Sequence, residues 1–203
     1  MIKHTMTVSL FFFSTFISFS DNTISEEHAK RTFPLEWGGS IEFEVPTTWQ
    51  IETLEIGNEK KVAAIMIQPQ KGNNFKIGMK FLPLISTIPQ ENLRKEIEKS
   101  TPFKKAKSNS SGSELELNEF KFDSGYGFYY TYTTQTQDKD GYNTTTIIDI
   151  CHSDYFLLRT IIKTNGYQKD IIPPFLSILQ KSKFTHDNNS LNVVKMRREN
   201  EKK

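Results

Sequence analysis

The stretch FKIGMKF at residues 75–81 decides the fold class. Phe75, Ile77, Met79 and Phe81 alternate with Lys76, Gly78 and Lys80. A period of two marks a strand with one face buried and the other solvated or partly covered. Towards the N-terminus, KGNN (71–74) reads as a turn and Val62–Gln68 as an apolar strand. GNEKK (57–61) is another turn, preceded by a strand-like run at Gln50–Glu55. Farther back, Ile41, Phe43 and Val45 alternate with Glu42 and Glu44; Pro46 ends that run and Trp49 follows in a short connection. Short turns between such runs predict an antiparallel meander.

Towards the C-terminus the period changes. Thr87 and Gln90 have capping-box spacing, Pro89 falls where a first-turn proline is tolerated, and Leu93 and Ile97 make a narrow apolar stripe. KKAKSNSSGS (104–113) is expected to be a polar loop. Leu115, Leu117, Phe120 and Phe122 fall in two phases, which predicts a break near Asn118. GYGFYYTYTT (125–134) places Tyr126, Phe128, Tyr130 and Tyr132 on one face and Tyr129 on the other. DKDG (138–141) is a tight turn, and Tyr142–Cys151 with Tyr155–Lys163 form a hairpin around His152–Asp154. A last helix is expected from Asp170 to Lys181, with Pro173 and Pro174 in its first turn and Phe175, Ile178 and Leu179 buried. Strands, helix, strands, helix give an α+β class, with helices packed on an antiparallel β-sheet.

The ends of the chain change how its composition reads. MIKHTMTVSLFFFSTFISFS (1–20) has the charged start, apolar middle and small residues at 18 and 20 of a signal peptide. Its apolar run is shorter than the ~20 residues that a membrane span needs. Without it, 25 Lys and Arg remain against 24 acidic residues, and five of the 16 Phe are gone. The last 17 residues carry five basic and three acidic side chains, so the body between is close to neutral. The expected organisation is a signal peptide at 1–20, a flexible segment at 21–32, one α+β domain at 33–184 and a disordered basic tail at 185–203. A near-neutral body lacks the basic stripe of a nucleic-acid binder. The single cysteine excludes an internal disulfide and any multi-cysteine metal site.

A strand ending in Pro-x-x-Trp (Val45, Pro46, Thr47, Thr48, Trp49), a meander and a capped helix come first. A Gly-Tyr-Gly-aromatic strand (Gly125–Tyr132), a hairpin and a helix running out in ILQKSKF (178–184) complete the order. Over residues 34–184 this succession resembles the PsbP/Mog-like superfamily, whose fold is an antiparallel sheet sandwiched by helices, an α/β/α sandwich. The resemblance implies a non-enzymatic accessory or assembly protein. Among its branches are extrinsic subunits of the photosynthetic oxygen-evolving complex, nuclear Ran-binding factors and bacterial envelope proteins of unknown role. The export signal conflicts with a nuclear partner, and the N-terminus lacks the length and Arg/Ser richness of a chloroplast transit peptide. The bacterial envelope branch therefore fits best.

Few residues suggest chemistry. Cys151, His152, Ser153 and Asp154 bring nucleophile, base and acid together in sequence, but neighbouring strand residues point to opposite faces, and Ser-Asp is ordinary turn composition. Asp138-Lys139-Asp140-Gly141 opens like a calcium loop, yet the twelfth position is Asp149, inside a strand. His28, His152 and His186 have no metal-ligand spacing, and no phosphate loop or dinucleotide fingerprint occurs. No catalytic residue, metal or cofactor is assigned. Four aromatics on one strand face read first as core, and secondarily as a binding surface, which nominates Tyr126, Tyr129, Tyr130 and Tyr132 with Trp49. The expected function is that of a periplasmic or secreted, non-enzymatic module binding another envelope protein, with no nucleic acid partner and no stable membrane insertion once the signal is removed. The alternative is a small-ligand protein with a pocket between sheet and helix.

Overall fold

The alternating runs pair antiparallel, but they build two sheets instead of one meander. In the computed structural model the described residues are 27–36, 38–58, 60–84, 88–109, 115–122, 125–152, 156–166 and 168–185. The elements in chain order are β1 (His28–Pro34), β2 (Ser40–Pro46), β3 (Trp49–Ile56), β4 (Lys61–Pro69), β5 (Phe75–Pro83), α1 (Gln90–Lys99) and α2 (Thr101–Asn109). After them come β6 (Asn118–Phe122), β7 (Gly125–Thr133), β8 (Thr144–His152), β9 (Phe156–Thr164), α3 (Ile172–Lys181) and β10 (Lys183–Thr185). Seven strands form one sheet in the order β3-β4-β5-β9-β8-β7-β6, and a second sheet has the order β1-β2-β10. The protein is of the α+β class.

Register carries the alternation across the large sheet. Ile67 pairs with Ile77, and Ile77 with Ile162, so all three side chains point to one face and are fully buried. Burying each such side chain contributes about 1.5–3 kcal/mol. On this face the core joins Ile148 and Leu158 to Phe43 and Val45 of the small sheet and to Phe175 and Leu179 of α3. A second cluster on the opposite face joins Leu93 and Ile97 of α1 and Phe103 and Ala106 of α2 to Phe128, Tyr130 and Cys151.

Four expectations change. His28–Thr32, expected to be loose, belongs to β1 because β2 offers it a pairing partner from Pro46 to Ser40. Lys183–Thr185 forms β10 on the other side of β2, where the sequence suggested only the run-out of a helix. Ile41–Val45 is the centre of the small sheet rather than the start of the meander. Lys104–Asn109, expected in a loop, lies in α2.

Ser100 explains that last difference. Its backbone N–H donates to the Ile97 carbonyl and ends α1, while its hydroxyl accepts the Phe103 N–H at 3.3 Å and starts α2. With Phe103 and Ala106 as the only buried residues of α2 named in the core, the local pattern was too sparse to read as helical. Elsewhere, α1 begins at Pro89 without a side-chain cap. Thr87, residues 1–20 that were read as a signal peptide, and the residues beyond Thr185 lie outside the described residues.

Candidate functional site

The largest concavity described, about 910 Å³, opens between β2, α3 and the β4–β5 turn. Trp49 forms part of its wall, because Pro46 ends β2 and the chain turns straight into β3. The half-buried indole is braced from behind by Phe75 at 5.0 Å and Phe175 at 6.4 Å between ring centroids. Around the rim both charge signs occur: Lys71, Lys181 and Lys183 with Glu44 and Asp170. Lys30 pairs with Glu42 at 2.8 Å, which holds that carboxyl below the usual carboxylate range. At the α3 end, Pro174 offers no N–H and Asp170 is acidic, so this helix start is poorly suited to a phosphate.

The second candidate is the face of the large sheet that carries α1 and α2. Those helices cluster with β7 and β8, whereas Ala64, Met66, Gly78 and Ile161 line a shallow depression of about 480 Å³. Leu54 is 63% exposed and Ile161 37%, both large apolar residues in contact with water. Glu52, Lys80 and Arg159 complete the rim. Arg159 is fixed by Asp149 across β8 and β9 through hydrogen bonds of 2.7 and 2.9 Å.

The aromatic ladder lies on one face of β7 as expected, with Phe128 and Tyr130 buried and Tyr126 and Tyr132 half-buried. Tyr126, Tyr130 and Tyr132 belong to the cluster under α1 and α2, while Tyr129 packs on the opposite face. Tyr130 is 2% exposed and meets Phe103 edge-on at 4.9 Å. Burial pushes its phenol up, and the nearby Asp149 carboxylate adds to that effect. Tyr130 is thus a core residue and not an accessible contact. Of the five aromatics nominated from sequence, Trp49 alone lines the described cleft.

Cys151 and His152 diverge as strand geometry requires. Cys151 is buried in the cluster with Tyr130 and Ile147, whereas His152 stacks on Phe156 at 5.2 Å and meets Phe184 at 4.0 Å on the other face. The two side chains cannot work as a nucleophile–base pair in this arrangement. At the 138–141 turn, the Lys163 ammonium sits between two carboxylates, 2.7 Å from Asp138 and 2.9 Å from Asp140. A side-chain cation therefore occupies the position suggested by the calcium-like spacing. Among the described residues no cluster of three or more metal-ligating side chains occurs, and no helix is long and apolar enough to cross a membrane.

Leu54 and Ile161 were not singled out from sequence. Their signal was an apolar residue in the polar phase of a strand, such as Ile161 between Arg159 and Lys163. The cleft had no comparable local signal, since its walls come from elements far apart in the chain.

Fold, cleft and open sheet face together define an antiparallel α+β protein with two candidate binding surfaces. No protein-family model matches the sequence, and no curated protein matches it. Among solved structures the chain is similar to a crystal structure from Bacteroides thetaiotaomicron, with 9% identity over 78% of this chain and 48% of that one, at a TM-score of 0.51. It spans about half the length of that chain. It is also similar to the solution structure of cyanobacterial PsbP (CyanoP) from Synechocystis, with 11% identity over 77% of this chain and 93% of that one, at a TM-score of 0.48. At these identities the likeness is one of fold alone.

Proposed function

We propose that this is an exported, non-enzymatic accessory protein whose task is to bind another protein of the cell envelope. In this reading the architecture is the PsbP/Mog-like sandwich, with α1 and α2 on one side of the large sheet and α3 with the small sheet on the other. The observation that carries the function is the open half of the large sheet, where Leu54 and Ile161 are exposed around Met66 and Ala64. An apolar patch rimmed by charged residues is a common form of protein interface. Its rim carries both signs, Glu52 against Lys80 and Arg159, which would orient a partner as well as hold it.

The test compares affinity capture from native envelopes by the tagged wild type and by Leu54→Asp/Ile161→Asp. Recovery of one crosslinked partner, reduced about tenfold or more in the variant, is the expected result. Equal recovery by a variant that remains folded would remove this surface from the function.

A second reading is supported by the Trp49 cleft, whose volume of about 910 Å³ suits a small molecule. Native mass spectrometry that finds a co-purified small molecule but no protein partner would favour it.

A further inference from the structure

We propose that the segment Val194–Arg198 of this chain docks along the outer edge of β3 as one more strand, antiparallel to it. β3 ends the large sheet: β4 pairs with one side of it, and among the described residues no strand pairs with the other. Every residue from Glu52 to Ile56 is exposed. Successive strand residues point to opposite faces, so both faces and the edge are open over this stretch. Leu54 is 63% exposed and Ile56 45%, and β3 carries neither the lysine nor the proline that commonly blunts an edge. An uncovered edge with apolar side chains is a template for a further strand.

Charge decides which strand. β3 has two acidic residues and no basic one. Glu52 accepts hydrogen bonds from Gln50 and Gln68, and Glu55 from Thr53, all neutral donors. Two β3 strands from two copies would bring four carboxylates together with no cation on either strand, which disfavours a symmetric pair. VVKMRR (193–198) has the complementary pattern of apolar and basic residues. Paired antiparallel, Val194 falls opposite Ile56, Lys195 opposite Glu55, Met196 opposite Leu54 and Arg198 opposite Glu52. One register satisfies all four. Sliding it by two residues sets Arg198 on Leu54 or Met196 on Glu52, and sliding it by one exchanges the faces. Lys80 lies in the cross-strand row of Ala64 and Leu54, which Met196 extends, so it does not oppose Arg198. The bulge beside Leu54 leaves the match intact, because its extra residue, Ala63, is on β4.

Thr185, the last described residue, is at the matching end of the sheet. It pairs with Ser40, Ser40 pairs with Pro34, and the next residue, Leu35, bridges to Val62, the partner of Glu55. Those steps make a path of about 25 Å, whereas ten extended residues from Thr185 to Lys195 reach about 33 Å. Arriving from the Ile56 end, the segment runs antiparallel to β3 without doubling back. The site adjoins the Leu54 face assigned above to a partner protein but does not depend on that partner.

The experiment is hydrogen exchange of the full chain, read by mass spectrometry on peptides covering β3, with β8 peptides as the folding control. Wild type is compared with Lys195→Glu/Arg198→Glu, and with that pair combined with Glu52→Arg/Glu55→Lys. The β3 amides are expected to exchange about tenfold faster in the first variant and to return to within about twofold of wild type in the charge-swapped one. The inference is overturned if wild type and Lys195→Glu/Arg198→Glu exchange alike at β3, or if the swap restores nothing. Protection that appears only as protein concentration rises would give the edge to a second copy and overturn the placement within one chain. No envelope component is present, so failure here leaves the partner reading untouched.

Discussion

Asp149 and Arg159 face each other across β8 and β9 and form a two-point ion pair at 2.7 and 2.9 Å, the carboxylate 3% exposed and the guanidinium 42%. The pair stands where the cover of α1 and α2 gives way to the open half of the sheet. Removing the cation would leave a buried carboxylate without its partner. Arg159→Met is expected to cost on the order of 2–3 kcal/mol, below the figure for a fully buried pair because water reaches Arg159. Urea denaturation measures the loss, and Asp149→Leu/Arg159→Met should recover much of it in a double-mutant cycle. A loss in the double variant equal to the sum of the Asp149→Leu and Arg159→Met losses would show that the pair is not coupled.

On its other side β8 sets a steric prediction with β7. A Cβ at Gly127 would lie 2.6 Å from the Asp149 carbonyl oxygen and 2.9 Å from Ile150 Cγ1, so β7 could not keep its distance from β8. At Gly78 the nearest atom would be the Met66 methyl at 3.9 Å, an ordinary contact. Gly127→Ala is expected to destabilise by about 2 kcal/mol or more, and Gly78→Ala by less than about 1 kcal/mol. Thermal unfolding of the two variants in parallel checks the order.

Tyr130 gives the alkaline limit. Its folded pKa is raised above the ordinary value of 10.0, chiefly by burial. The unfolded phenol loses its proton first, so the stability linked to Tyr130 is complete below pH 10 and falls as pH rises towards the folded value. Near-UV absorbance titration should show fewer tyrosines ionising around pH 10 in the folded protein than in the unfolded one, burial raising both Tyr130 and Tyr142, and Tyr130→Phe should leave the folded titration around pH 10 unchanged. Loss of a normal phenol from that titration in Tyr130→Phe would contradict the sealed position.

Lys163 gives an acid-side prediction. It lowers the pKa of Asp138, to which it donates a hydrogen bond, and the Tyr142 and Asp140 amides lower it further. A depressed carboxyl pKa stabilises the fold above the unfolded value of about 4, and the gain is lost as pH falls through the folded value. Lys163→Met should therefore lower the urea midpoint at pH 7, with the gap to wild type closing below about pH 4. A gap independent of pH would assign the effect to packing of the lysine stem instead.

The sequence alone determined the phase of most strands. Ile41, Phe43, Phe75, Ile77 and Phe81 turn inward as their alternation requires, and the Cys151/His152 pair separates for the same reason. Side-chain direction in a strand is a local property that successive residues set between themselves. Tertiary structure decided which strands are neighbours. His28–Thr32 and Lys183–Thr185 become strands because β2 lies between them, and Lys104–Asn109 becomes helical where Ser100 and the Tyr130 face receive it. The cleft belongs to the same category. Trp49 was visible in the chain, but Glu44, Ile178 and Lys181 join it only when α3 closes beside the small sheet, because such contacts depend on partners more than a hundred residues away.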